Sequence, residues 1–190
     1  MDFKNAKELL ELCQNQNLPI SEIMLRREMT EGEMPEEEAS RRMARALAIM
    51  KESVHTPIQT PVRSMGGLIG GEAGKLASHQ AAGRGICGDV LEKAITYAVA
   101  VLETNASMGL IVAAPTAGSA GVVPGLLLAL QECNRFSDED LIKALFNAGA
   151  IGYLAMRNAT VAGAVGGCQA EVGIASAMAA SAAVELFGGS

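Results

Sequence analysis

Tryptophan is absent from this sequence of 190 residues, and aromatic residues make up only 3% of it. The hydrophobic core must therefore come from Leu, Val, Ile, Met and Ala, because hydrophobic residues still account for 49% of the chain. No alternation of apolar and polar residues predicts a β-strand. We expect an all-α fold, a compact bundle of helices rich in small residues with Gly-rich loops, forming a single helical domain over residues 1–190.

Basic residues and paired cysteines are also scarce. Lys and Arg number 15 against 21 Asp and Glu, the formal net charge is -6, and no basic run occurs, so nucleic acid is not expected as a partner. The start of the chain lacks the pattern of a signal peptide. The cysteines are scattered without a C-x-x-C pair, which favours a reducing, cytoplasmic location. They are Cys13, Cys87, Cys133 and Cys168.

A long stretch without charge raises the question of a membrane helix. From Thr104 to Gln131 no charged residue occurs, and roughly 20 apolar residues are enough to span a bilayer. However, Pro115, Pro124 and several glycines interrupt the stretch, which therefore cannot form one continuous helix. We predict two buried helices joined by a polar, Gly-rich loop, and no membrane span.

Helical periodicity covers most of the chain. Met43, Leu47, Met50 and Val54 form an apolar stripe that is typical of a packing seam in the core or at a subunit interface. Residues 55–88 are rich in glycine and proline and predict a long functional loop. Helices are predicted at about residues 3–16, 21–30, 89–103, 122–131, 137–156 and 168–187, the fifth starting at a capping box at Ser137.

Two glycine-rich segments invite a functional interpretation. Residues 83–88 match the dinucleotide fingerprint G-x-G-x-x-G, but no predicted strand leads into them, so we interpret the match as a decoy. Residues 70–75 carry Lys75 behind several glycines, which would allow close contact with a small anionic substrate. An ordinary surface lysine explains the same residues equally well.

Two longer motifs point more firmly to chemistry. Residues 113–121 form a turn rich in hydroxyl groups and glycine within an apolar stretch, so its polar groups need a partner, for which a bound carboxylate would serve. Residues 166–171 place Cys168 after two glycines at the predicted N-terminus of a helix, where the dipole favours a metal-binding thiolate. Cys13 and Cys133 are interpreted as packing residues, and Cys87 is left open.

The motifs Ala-Pro-Thr-Ala-Gly-Ser-Ala-Gly (114–121) and Gly-Gly-Cys-Gln-Ala-Glu-Val-Gly (166–173) resemble those of the bacterial iron–sulfur L-serine dehydratases. Together with Gly-Gly-Glu-Ala-Gly-Lys-Leu (70–76), the resemblance spans nearly the whole chain and implies the N-terminal part of the α-chain catalytic domain. It implies an all-helical lyase that deaminates L-serine to pyruvate and ammonia, with a [4Fe–4S] cluster as Lewis acid.

The resemblance also implies roles for individual residues. Cys168 would be the first ligand of the cluster. Thr116, Gly118 and Ser119 would form a substrate-binding turn, with Thr116 and Ser119 serving catalysis. Lys75 and Asn105 are weaker candidates for holding the carboxylate or assisting proton transfer. The general base is not identified, and the choice between serine and threonine stays open.

The sequence departs from the family after Cys168. The family's second and third cluster cysteines lie downstream in a Cys-Asp-Pro and a Pro-Cys segment, which do not occur before Ser190. We therefore expect a truncated chain that is apo and inactive by itself. The small α/β domain of single-chain members is also missing, which implies a β subunit as partner, in an αβ assembly or a homo-oligomer. The stripe from Met43 to Val54 is one candidate for that contact.

Three alternatives remain open at this point. A related iron–sulfur β-eliminating enzyme, such as a cysteine desulfidase, would share the cluster and the turn. A helical interaction or membrane module without chemistry would retain only the packing pattern. A pyridoxal-phosphate dehydratase is least favoured, because Lys75 lacks the motif that usually surrounds the cofactor lysine.

Overall fold

The computed structural model describes residues 1–189, and every regular element within them is an α-helix. This confirms the predicted all-α fold. The helices are α1 (Ala6–Gln16), α2 (Ile20–Glu31), α3 (Glu36–Gln59), α4 (Glu72–Ala81), α5 (Asp89–Ala106), α6 (Val122–Asn134), α7 (Asp138–Asn158) and α8 (Gly163–Leu186).

The start of α7 is the capping box that the sequence predicted. The Ser137 hydroxyl accepts a hydrogen bond from the Asp140 backbone N–H at 3.1 Å, and the Asp140 carboxylate accepts one from the Ser137 N–H at 2.9 Å. The bond from the Ser137 backbone is the main cause of the lowered pKa of Asp140. These reciprocal bonds satisfy two backbone donors that would otherwise lack partners at the helix start.

The predicted loop over residues 55–88 is only partly correct, because two helices enter it. Helix α3 continues to Gln59 although Pro57 lies inside it, and α4 occupies Glu72–Ala81. Proline cannot donate the hydrogen bond that the carbonyl four residues earlier requires. That carbonyl belongs to Ser53, and the Thr104 hydroxyl on α5 donates to it at 2.7 Å. A tertiary contact therefore replaces the missing helical bond.

Replacing Thr104 by valine tests whether the bond from the Thr104 hydroxyl takes the place of the helical hydrogen bond that Pro57 cannot make. Valine has the same shape but no hydroxyl, so the Ser53 carbonyl would lose its donor. We expect a loss of about 1–3 kcal/mol in the free energy of unfolding, measured by urea denaturation. Thr104→Ser keeps the hydroxyl and is the matched control. Equal stability of Thr104→Val and the unaltered chain would contradict this account of how α3 tolerates Pro57.

The chain divides into two compact units. Unit 1 comprises Met1–Ala46 and Ser137–Ser190, and unit 2 comprises Leu47–Phe136. Whether the two units act as one domain, as the sequence analysis expected, stays a prediction. The core of unit 1 gathers buried side chains from α1, α2, α3 and α7 and from the segment before α1. They are Phe3, Leu9, Ile23, Met24, Ala39, Phe146 and Ala150.

Unit 2 is built on a close approach of α5 and α6. A Cβ atom added at Gly121 would lie 2.6 Å from the Ala98 carbonyl oxygen, and one added at Gly125 would lie 2.8 Å from the Ala94 carbonyl oxygen. Real Cβ atoms do not approach carbonyl oxygens so closely. Glycines four residues apart, one at the N-cap of α6 and one within the helix, therefore let the backbones of α5 and α6 pack directly together.

The structure tests the predictions for the apolar stripe and for the uncharged stretch. Leu47, Met50 and Val54 are buried, which confirms the core interpretation of the stripe. These three side chains are not available for the proposed contact with a β subunit, which stays a prediction only at half-buried Met43. Within residues 1–189 none of the helices combines the length and the apolar character needed to cross a membrane.

Candidate active site

The turn between α5 and α6, residues 114–121, is held together by its own hydroxyl groups. The Ser119 hydroxyl is only 2% exposed and donates to the Ala114 carbonyl at 3.2 Å. Its oxygen also lies 3.2 Å from the Thr116 hydroxyl. Since a serine has one hydroxyl proton, Thr116 must be the donor in that pair. Hydrogen bonds within the turn therefore satisfy some of the polar groups for which a bound carboxylate was the predicted partner.

Asn105, near the end of α5, is joined to the same turn. Its side-chain amide donates to the Ala117 carbonyl at 3.1 Å. The structure therefore brings Asn105, Thr116 and Ser119 together, and their roles in substrate binding and catalysis stay predictions. Gly118 lies on the exposed surface of the turn, Thr116 is half-buried and Ser119 faces the interior. Thr116 and the backbone at Gly118 are thus the parts of the turn open to a small molecule, whereas Ser119 supports it from within.

A buried acid that was not predicted from the sequence lies two residues before Asn105. Glu103, on α5, is 1% exposed and accepts a hydrogen bond from the Ala73 backbone N–H at 2.7 Å. It therefore caps α4 from another helix. Its second oxygen, Oε2, has no hydrogen-bond partner among residues 1–189. One feature of the sequence could have identified Glu103 as buried. It lies three residues after buried Ala100, on the apolar face of α5.

Lys75 lies outside this cluster. It lines an open cleft of about 670 Å³ together with His79 and Arg84, and within residues 1–189 no residue of the turn 114–121 lines this cleft. The cleft thus joins three basic side chains, of which the sequence analysis singled out only Lys75. Such a set suits an anionic group such as a carboxylate.

Gly70, one of the glycines before Lys75, serves the fold. Gly70 has φ +149°, and a Cβ atom there would lie 2.2 Å from the Val62 carbonyl oxygen. The Gly70 N–H donates to the Glu72 carboxylate at 2.6 Å, and this bond is the first cause of the lowered pKa of Glu72. Close packing against the chain itself, in place of contact with a substrate, accounts for glycine at this position.

Cys168 lies where the sequence predicted, at the start of a helical segment. Helix α8 is interrupted at Gly167, whose φ of 74° and ψ of 176° are non-helical, so the longer part of α8 begins at Cys168. A positive φ favours glycine over any other residue there. The Cys168 thiol is free and exposed. It belongs to unit 1, whereas the turn 114–121 belongs to unit 2.

The other cysteines do not assemble with Cys168 into a metal site. Cys13 is half-buried, and burial, followed by the charge of Glu185, raises the pKa of its thiol. Cys87 and Cys133 are exposed, so the interpretation of Cys133 as a packing residue is wrong. Residues 1–189 contain no group of three His, Cys, Asp or Glu side chains that could hold a metal ion.

Comparison with known proteins places the chain in a family. The family model described as Serine dehydratase alpha chain matches residues 15–190. The "Probable L-serine dehydratase, alpha chain" of Bacillus subtilis (strain 168) is 44% identical over 187 residues, which cover 98% of this chain and 62% of that protein. The "L-serine dehydratase, alpha chain" of Peptoniphilus asaccharolyticus is 37% identical over 187 residues, covering 98% of this chain and 64% of that protein.

A relative from another organism is consistent with these matches. "L-serine dehydratase TdcG" of Escherichia coli (strain K12) is 36% identical over 194 residues, covering 100% of this chain and 42% of that protein. This chain belongs to the serine dehydratase alpha chain family, as its two long motifs predicted. It spans 62% and 64% of the length of the two alpha chains above.

Proposed function

We propose that this chain forms part of the active site of an iron–sulfur L-serine dehydratase, a lyase that converts L-serine to pyruvate and ammonia. The observation that carries the proposal is the free, exposed Cys168 thiol directly after the non-helical Gly167. A thiol at a helix start is well placed to bind iron as a thiolate. The relatives named L-serine dehydratase support the reaction.

A [4Fe–4S] cluster does not fit the residues described here taken alone. Such a cluster needs several cysteine thiolates, and residues 1–189 offer no group of three potential ligands. Cys168 would supply one ligand of a larger set. We therefore propose that residues 1–190 by themselves are apo and inactive, and we assign no chemical step to a cluster held by this chain alone.

The chain's own contribution to the reaction is substrate binding. The half-buried Thr116 hydroxyl and the exposed backbone at Gly118 would contact L-serine, with Ser119 and Asn105 holding the turn in shape. Lys75 would attract the substrate carboxylate from its basic cleft. Fixing the substrate in one orientation lowers the entropic part of the barrier.

Membership of the family also supports proposals on the partner subunit, the location and the metabolic role. The relatives named as alpha chains support a β subunit as partner, within an αβ assembly or a homo-oligomer. We also propose a cytoplasmic location and a role in amino-acid degradation, since L-serine is a metabolite of that compartment. Neither nucleic acid nor membrane enters this proposal.

A chimeric enzyme tests the function. In it, this chain replaces the matching part of the Bacillus subtilis alpha chain and is expressed anaerobically with that organism's β subunit. We expect bound iron and sulfide and release of pyruvate from L-serine. Cys168→Ser is expected to lose most of the iron and at least about a hundredfold in activity, because removing a ligand costs more than removing a residue that only hydrogen-bonds a ligand, which already costs up to about a hundredfold. Cys133→Ser, at another exposed cysteine, is the control and should retain both.

Two outcomes would contradict parts of the proposal. An active chimera whose iron content is unchanged by Cys168→Ser would remove Cys168 from the ligand set. Stoichiometric cluster formation on residues 1–190 alone, after reconstitution with iron and sulfide, would refute the apo state proposed for the isolated chain. Absorbance in the thiolate–iron charge-transfer region and iron analysis report both results.

A further inference from the structure

Unit 1 contains a second cleft, unrelated to the turn and to Cys168. Its volume is about 720 Å³, and residues of α1, α2, α7 and α8 contribute to its lining. Apolar side chains form one part of the wall, among them Leu10, Leu18 and Val184. The polar part includes Asn147 and Glu185. The cleft therefore combines an apolar surface with a small polar patch, which is typical of a site for a small molecule.

The polar patch is rich in hydrogen-bond acceptors. The Glu185 carboxylate accepts from the Asn147 side-chain amide at 2.6 Å and from the Ser21 backbone N–H, near the start of α2, at 3.2 Å. Both bonds reach Oε2, so Oε1 keeps its acceptor capacity. None of the residues that line the cleft within residues 1–189 is a lysine or an arginine.

A buried acceptor in the same patch lacks a donor. Asn147 is 1% exposed, and its Oδ1 has no hydrogen-bond partner among the residues that the structure describes. Buried acceptors in native proteins nearly always have a donor. The unsatisfied oxygen therefore points to a donor that residues 1–189 do not supply.

The charge of Glu185 favours a positively charged donor. The negative charge of Glu185 contributes to the raised pKa of the Cys13 thiol, another residue of the cleft. The same charge would repel an anion and attract a cation. A metal ion is not favoured as that cation, because residues 1–189 contain no group of three His, Cys, Asp or Glu side chains that could hold one.

We propose that this cleft binds a primary ammonium group carried on a short apolar chain. The ammonium would donate to Asn147 Oδ1 and to the Glu185 carboxylate, and the apolar chain would lie along Leu10, Leu18 and Val184. An ammonium has three donors and no acceptor, which complements two neighbouring acceptors. The proposal uses no iron and no residue of the proposed substrate site, so it stands independently of the dehydratase function.

Isothermal titration calorimetry of this chain with n-hexylammonium chloride and with 1-hexanol tests the proposal. Both ligands carry the same apolar chain, so a difference in affinity measures recognition of the charge. We expect n-hexylammonium to bind at least about tenfold more tightly, because charge-assisted hydrogen bonds are stronger than neutral ones. Equal affinities, or no binding of n-hexylammonium, would overturn the proposal.

Two variants test whether n-hexylammonium binds in this cleft. Glu185→Gln keeps the side-chain shape but removes the charge, and it should weaken n-hexylammonium binding about tenfold while leaving 1-hexanol unchanged. Glu11→Gln removes the same charge from the exposed face of α1 and should bind like the unaltered chain. Equal binding by all three proteins would overturn the assignment to Glu185. Far-UV circular dichroism verifies the fold, and the comparison of the two ligands on the unaltered chain does not depend on any variant.

A third ligand identifies the source of the ammonium group. Nα-acetyl-L-lysine N-methylamide carries the same group on a lysine side chain with a neutral backbone. Binding of this compound together with n-hexylammonium would support the site and identify a lysine side chain as its natural ligand. Binding of n-hexylammonium alone would support the site and identify a free amine.

Discussion

Replacing Gly125 by valine is expected to cost about 3 kcal/mol in the free energy of unfolding of unit 2. A Cβ atom at this position would lie 2.8 Å from the Ala94 carbonyl oxygen and 3.2 Å from the Ala98 backbone nitrogen and Cβ. These neighbours are mostly backbone atoms of α5, which cannot rotate away, so α5 and α6 would have to separate. Overpacking of a buried contact costs this order of free energy.

Urea denaturation followed by circular dichroism measures the loss, and hydrogen exchange locates it. Amides of α5 and α6 should exchange faster in Gly125→Val. The control is Gly74→Ala on α4, where the added Cβ would lie 3.6 Å from the Ile58 carbonyl oxygen, an ordinary contact. We expect that control to be as stable as the unaltered chain or more stable by up to about 1 kcal/mol, since alanine favours helix. Unchanged exchange in α5 and α6 of Gly125→Val would contradict the close approach.

Replacing Glu103 by alanine should destabilise unit 2 by about 2–3 kcal/mol. The change removes the acceptor for the Ala73 N–H at the start of α4 and leaves a cavity at a position that is 1% exposed. Loss of a cap and loss of buried volume each contribute to this total. Hydrogen exchange should accelerate first in α4, because its N-terminus loses the bond.

Glu103→Gln separates the cap from the charge. Glutamine retains an oxygen that can accept from Ala73 and nearly fills the same volume, so its stability should lie within about 1 kcal/mol of the unaltered chain. If glutamine and alanine destabilise equally, the charge of Glu103 rather than its capping bond is what the fold requires. If neither changes the exchange of α4, the cross-helix cap is wrong.

Sequence signals sufficed wherever a structural cause lies within a few residues. The capping box at Ser137 and Asp140 needs only its own four residues, and the structure has it as predicted. The helix start at Cys168 follows from the glycine before it, which adopts a backbone conformation that other residues rarely take. The motifs around Cys168 and the turn 114–121 were also enough to identify the family, which the comparisons confirm.

Only part of the candidate site could be predicted from the sequence. Asn105 and Thr116 were named from sequence, but the bond from Asn105 to the Ala117 carbonyl depends on how α5 and the turn fold back on each other. Glu103 was missed although its place on the apolar face of α5 was a signal, because that place does not identify the partner of the acid. Its partner, Ala73, lies 30 residues away and donates through its backbone, which leaves no mark on side-chain identity.

By itself, then, the sequence determined an all-α fold, most helix starts and the family, because composition, caps and motifs act locally. Tertiary structure decided that α3 continues past Pro57, since the donor for the Ser53 carbonyl comes from Thr104, 51 residues further along. It also decided that Gly70 and Gly125 accommodate other parts of the backbone. Contacts between distant segments form only once the chain is packed, and no local pattern encodes them.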